Sequence, residues 1–123
     1  ALFASVMVPR GERVSVEEIP GGLIVRRGAV EDTILYGAPA ARVSLARRES
    51  GRLTRVFIFD GSRLSLPEGE VAVRSAGSVE IELHPSEIRV HNPSASAVTV
   101  ELGGFAAAPS YFEAPPGLTV IRR

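Results

Sequence analysis

Between Arg42 and Leu66 the sequence RVSLARRESGRLTRVFIFDGSRLSL alternates apolar and polar residues around two short turn signals, Ser50-Gly51 and Asp60-Gly61. A two-residue loop ending in glycine between alternating apolar runs is the strongest short-range hairpin signal, because a type I′ turn takes both loop residues left-handed, a conformation that glycine and small polar residues tolerate. The segment therefore reads as three antiparallel strands. A loop at Ser50-Gly51 sets Glu49 opposite Arg52, Leu45 opposite Val56 and Val43 opposite Ile58. A loop at Asp60-Gly61 sets Phe59 opposite Ser62, Phe57 opposite Leu64 and Val56 opposite Ser65. Apolar residues then mostly face apolar ones and the one charge pair is of opposite sign. On this register Phe57 and Phe59 share a face with Leu64 and belong to the core.

The same grammar runs through the rest of the chain. Leu2 to Val8 reads as a buried strand stopped by Pro9-Arg10-Gly11. Arg13 to Ile19, Leu23 to Arg27 and Val30 to Tyr36 follow, punctuated by Pro20-Gly21-Gly22, Gly28 and Gly37-Ala38-Pro39. Glu70 to Ser75 places Val71 and Val73 inward, and Ala76-Gly77 leads into Ser78 to His84. His84-Pro85-Ser86-Glu87 fits a four-residue connection around a type I turn. It sets Leu83 opposite Ile88, Ile81 opposite Val90, Glu82 opposite Arg89 and Glu80 opposite His91, giving one apolar and one charged face. Val98 to Leu102 and Leu118 to Ile121 complete the set, with Gly103 to Pro109 irregular between them. About eleven short strands, roughly eight to twelve residues apart and with no helical period, predict an all-β fold, specifically an antiparallel two-sheet β-sandwich. The chain reads as a single β-sandwich domain over residues 1–123. Because it begins at Ala1 with strand-like residues at once, it is expected to be a fragment or accessory domain of a longer protein.

Charge narrows the partners. Fourteen basic and fourteen acidic residues cancel, whereas a nucleic-acid binder draws most of its non-specific affinity from a basic excess. The longest apolar run is far shorter than the roughly 18 to 20 residues a spanning helix needs. Neither nucleic acid nor membrane is expected as a partner. All fourteen basic residues are arginine, and there is no Lys, Gln or Trp and only one Asn, Asn92. Such a bias suits a heat-adapted or GC-rich source. There is no cysteine, which removes disulfides, thiolate metal sites and cysteine nucleophiles.

Candidate chemistry is sparse. His84 and His91 are the only histidines, and they occupy non-adjacent positions of one wet face with Glu80 as the nearest carboxylate. Cross-strand ion pairing explains them better than a metal site. No Gly-x-Ser-x-Gly elbow occurs. Glu17-Glu18 and Glu31-Asp32 are neighbours in strands, so their side chains point to opposite faces and cannot act as joint acid and base. No catalytic residue, metal ligand or cofactor is assigned. Sugar platforms usually rest on Trp or Tyr rings, and this chain offers only Tyr36 and Tyr111. The arginines supply one candidate ligand site. Arg47, Arg52 and Arg55 gather near one end of the central hairpin, where guanidiniums can grip sulfate or uronate groups bidentately. The competing reading is an arginine-rich surface paired with local glutamates.

LTRVFIFDGSRLSL followed by VAVRSAGSVEIEL resembles the C-terminal β-sandwich region of bacterial heparinase II/III-like polysaccharide lyases. LFASVMVPRGE, a Gly-Gly-led strand and VEDTILYG are similar to that region in their order. In that family the catalytic Tyr and His lie in preceding domains, so no catalytic residue carries over to any position here. The resemblance implies a non-catalytic accessory module of a polysaccharide-degrading enzyme, periplasmic or extracellular. Its partner would be a helical catalytic domain of the same parent protein, with a homo-oligomer as the alternative. A module binding an acidic polysaccharide through its arginines is the second reading, and a stand-alone enzyme the third.

Overall fold

A computed structural model describes residues 13–36 and 41–123. The strand expected over residues 2–8, its Pro9-Arg10-Gly11 stop and the Gly37-Ala38-Pro39 turn lie outside the described residues. The described chain is all-β, with no helix. Ten strands follow one another: β1 (Val14–Ile19), β2 (Gly22–Arg27), β3 (Val30–Leu35), β4 (Ala41–Glu49), β5 (Arg52–Leu66), β6 (Gly69–Leu83), β7 (Glu87–Asn92), β8 (Val98–Gly103), β9 (Tyr111–Ala114) and β10 (Gly117–Arg122). Every pairing is antiparallel, and the hydrogen-bonded order is β1-β2-β3-β4-β5-β6-β7-β10, with β8 on β6 and β9 on β8.

Two strands of 15 residues replace four expected short ones. The Asp60-Gly61 hairpin does not form: β5 runs straight through it, and Ala76-Gly77 likewise sits inside β6. The reason lies in their pairing. Gly61 faces Gly77, with the register shifting on both sides of Gly61. Both strands thus bend at the same level. Asp60 alone takes a positive φ of 51°, while its N–H donates to the Ser78 hydroxyl at 3.2 Å. A single left-handed residue bulges a strand, whereas the type I′ reversal that Asp-Gly favours needs two.

The bend divides the sheet into a long and a short limb. Above it, Arg55 to Ile58 of β5 pair with Val79 to Glu82 of β6, which then pairs with β7. Below it, Arg63 to Leu66 pair with Gly69 to Ala72, and β6 pairs instead with β8. One apolar cluster takes side chains from both: Val56, Ile58, Val79, Ile81, Ile88 and Val90 from the long limb, and Leu64, Val71, Val73, Val100 and Leu102 from the short one. Asn92, buried at the end of β7, fastens the limbs together. Its side-chain amide donates to the carbonyls of Ser96 (2.8 Å) and Ala114 (3.0 Å), while its oxygen accepts from the N–H and hydroxyl of Ser94.

The bulge also overturns the expected place of the phenylalanines. Val56 and Ile58 are fully buried, so by alternation Phe57 and Phe59 face away from the core, and Phe59 is 46% exposed. Leu64, beyond the bend, is buried, so these aromatics do not share its face. The Ser50-Gly51 turn and the Glu49–Arg52 pair form as expected, but a register shift at Arg47/Arg48 sets Ala46 opposite Val56, Leu45 opposite Phe57 and Val43 opposite Phe59. The expected Leu45–Val56 and Val43–Ile58 pairs are therefore displaced by one residue. The β6–β7 register matches expectation at all four pairs.

Candidate functional site

The register shift decides the geometry around the predicted arginines. It places Arg47 directly opposite Arg55, a like-charge pair that would be unfavourable alone. Each arginine has a carboxylate on its other flank: Asp32 lies opposite Arg47 across β3, and Glu82 lies opposite Arg55 across β6. Arg47 grips Asp32 with two hydrogen bonds of 2.8 and 2.9 Å, which hold its guanidinium above the usual arginine value. Arg55 reaches Glu80 and Glu82 at 3.4 Å each. Arg52, opposite Glu49 at the hairpin mouth, makes no ion pair among the described residues.

Arg47, Arg52 and Arg55 do meet: all three line one hollow of about 290 Å³, together with Glu49, Glu82 and His84. Three guanidiniums and two carboxylates leave little net charge there. His84 Nε2 lies 3.1 Å from Glu82, and this hydrogen bond, with Arg55 and Arg89 nearby, holds the Glu82 carboxyl below its ordinary value. Glu17 and Glu31 both meet Arg26, whereas Asp32 meets Arg47 on the opposite face. Glu31 and Asp32 are thus divided between the two sides of the sheet, as their spacing required. Among the described residues no group of three or more His, Asp or Glu is placed to hold a metal ion.

A second hollow, of about 410 Å³, lies beside the first, where Leu53, Phe105, Glu68 and Arg123 meet around the Ser50-Gly51 turn. Next to it Arg48 makes a two-pronged contact with Glu68, which joins the end of β4 to the turn between β5 and β6. The contact holds Glu68 below, and Arg48 above, their ordinary values.

A larger hollow, of about 660 Å³, lies among the described residues elsewhere, on the outward face of the short limb. Its floor and walls include Arg63, Ala72, Arg74, Thr99, Glu101 and Tyr111. Reading the sequence missed it for two reasons. With a turn at Asp60-Gly61 and another at Ala76-Gly77, no reason remained to bring Arg63 and Arg74 beside Thr99. The strand β9 was missed as well: its alternation lasts only four residues, Tyr111 to Ala114, just ahead of Pro115-Pro116. The alternation of apolar Phe112 and Ala114 with Tyr111 and Glu113 is the signal that was there to read.

No family model, curated protein or solved structure matches this chain.

Proposed function

We propose that this chain is a non-catalytic β-sandwich module that works by docking, with its two limbs as the two sheets of the sandwich. The observation that carries this reading is an apolar face on the side of the long limb that turns away from the core. Leu23, Ile34, Leu45 and Phe57 follow one another across β2, β3, β4 and β5 in a single cross-strand row. Val43 and Phe59 extend it, and the Phe57 and Phe59 rings stack at 6.4 Å between centroids with a 16° tilt. An antiparallel sheet that needs only one buried face carries polar residues on the other; here the second face carries an apolar stretch across β2 to β5, bordered by Arg47, Arg55 and Glu80. Leu23 is already buried within the chain, at 8%, while Phe59 at the other end is 46% exposed; an apolar patch that reaches solvent in this way marks a contact surface. Its occupant is a partner protein domain, and in the isolated chain a second copy takes its place. Attachment to a polysaccharide-degrading enzyme is what the family resemblance adds.

Sedimentation velocity at rising concentration tests the docking reading. Reversible dimerisation suppressed by Phe59→Arg is the expected result. A chain that stays monomeric at millimolar concentration, or dimerises equally well with Phe59→Arg, overturns it. Turnover of an acidic polysaccharide by the isolated chain overturns the non-catalytic reading.

Acidic-glycan binding at Arg47, Arg52 and Arg55 is the second reading, supported by their convergence on one hollow and by Arg52, which makes no ion pair among the described residues. Its weakness is that Arg47 and Arg55 already face carboxylates, which a ligand would have to displace.

A further inference from the structure

From the outward face of the short limb we infer a binding site for an acidic sugar, a pyranose chain carrying carboxylate groups, centred on Tyr111. The argument begins with register. Arg63 pairs with Ala72, Ala72 with Glu101 and Glu101 with Tyr111, so these four residues form one row across β5, β6, β8 and β9. At roughly 4.8 Å per strand the row spans about 14 Å, the scale of a short oligosaccharide. Ala72, the one small side chain, leaves a dip between Arg63 and Glu101. Continuing the β6–β8 register sets Arg74 beside Thr99, one alternation further along the same face. The resulting hollow of about 660 Å³ falls within the range of small-molecule sites.

Each side chain in it has a different aptitude. Tyr111 is 52% exposed, an amphipathic ring with an apolar surface on which the C–H face of a sugar can rest. Arg74 Nη1 donates to the Tyr111 hydroxyl at 2.9 Å, reaching across β8 to do so. That bond fixes the ring and the guanidinium relative to each other before any ligand arrives, which lowers the ordering cost of binding. Arg63 is positioned in the same manner: its Nε lies 3.3 Å from Glu70, whose other oxygen accepts from the Ser65 hydroxyl at 3.1 Å. The outer edge of the Arg63 guanidinium, with two terminal nitrogens, is left to receive a carboxylate bidentately. Glu101 has no ion pair or side-chain hydrogen bond among the described residues. A carboxylate in the middle of a row that begins with arginine repels a densely charged polyphosphate and accepts hydrogen bonds from ring hydroxyls. A uronate chain, with hydroxyls on every ring and a single charge per ring, meets all of these groups. The site is independent of the proposed docking face, which belongs to the long limb.

Titration of the whole 15N-labelled chain with tri-galacturonate, and separately with neutral maltotriose, tests the assignment. The expected result is saturable shifts with tri-galacturonate, confined to amides around Ala72, Thr99, Glu101 and Tyr111. Arg63→Gln and Tyr111→Ala each weaken binding about tenfold, the loss of one good contact, and Tyr111→Phe, which keeps the ring, weakens it less. Preserved spectral dispersion in Arg63→Gln, an exposed substitution, separates lost binding from lost fold. No saturable shift with tri-galacturonate overturns the proposal. So does equal affinity for maltotriose, or a shift pattern centred on Arg52 and Arg55.

Discussion

Ser50-Gly51 and Asp60-Gly61 look alike in the sequence, and the structure uses them in opposite ways. At the first, Ser50 and Gly51 both take positive φ, 53° and 78°, and the chain reverses. At the second, only Asp60 is left-handed, Gly61 is buried opposite Gly77, and the strand continues. Asp-Gly is the stronger local hairpin signal of the two, so local turn chemistry did not decide the outcome. What differs is the surrounding pairing. Beyond Gly51 the chain can only fold back on β4, whereas on both sides of Gly61 it finds successive parts of β6. Continuing through the bend keeps β5 paired with β6 on both sides of Gly61 and places Val56, Ile58 and Leu64 in one core. A turn dipeptide therefore offers a left-handed residue, and distant strand pairing determines whether that residue reverses the chain or bends it.

The difference is most exposed to test at the residues just before the bend. Ile58 is fully buried and Phe59 is 46% exposed. Ile58→Ala is expected to cost about 3 kcal/mol, as truncation of a buried aliphatic does. Phe59→Ala should cost less than about 1 kcal/mol in the monomer, as surface changes do. Urea unfolding of both variants measures the gap. The reverse ranking would restore the hairpin register, in which Phe59 points inward, and would break the comparison.

The two glycines provide a like-for-like contrast of intermediate size. A Cβ on Gly51 would meet nothing within 4 Å, so Gly51→Ala carries only the strain of a left-handed alanine, about 1 kcal/mol. Gly61 is buried opposite Gly77, and Gly61→Ala is expected to cost about 2 kcal/mol because a buried position must make room for the added methyl. Equal costs in denaturant titrations would mean that the bend already leaves room for a methyl at Gly61.

The same contrast explains what could be read from the sequence. The β6–β7 hairpin was legible to the last pair because its four-residue connection and its alternating flanks agree. The inward positions of Val71, Val73, Val79 and Ile81 followed from alternation alone. The outward position of Phe57 and Phe59 did not, since a one-residue shift in β5 reverses which side chains meet the core. Nothing local to FIFDGSRL reports the partner that causes that shift. The arginine cluster was visible because a tight hairpin brings its members together; their partners Asp32 and Glu82 were not, because they lie on strands adjacent only in the folded sheet. The Tyr111 row needed both the bend and the short β9 strand, and so lay beyond a reading that proceeds element by element.

The smallest expected effect concerns the link between the two regions. Arg48 ends the strand that the Ser50-Gly51 turn reverses, and Glu68 sits in the turn that the bend carries round to meet it. Arg48 holds the Glu68 carboxyl below its ordinary value of 4.5. In the window between the two values the unfolded chain binds more protons than the folded one, so the contact stabilises fully above pH 4.5 and its contribution fades as the pH falls through the lowered folded-state value. Both side chains are partly solvent-screened, at 21% and 35% exposure, which limits the effect to under about 1 kcal/mol. Stability measured against pH for the natural chain and for Arg48→Ala should thus differ at neutral pH and converge in acid. Glu82, whose carboxyl is held low chiefly by His84, titrates in both proteins and cancels from the difference. A gap that persists unchanged through acid pH would mean that Arg48 acts by packing its aliphatic stem. The hairpin and the bent turn would then be joined by shape and not by charge.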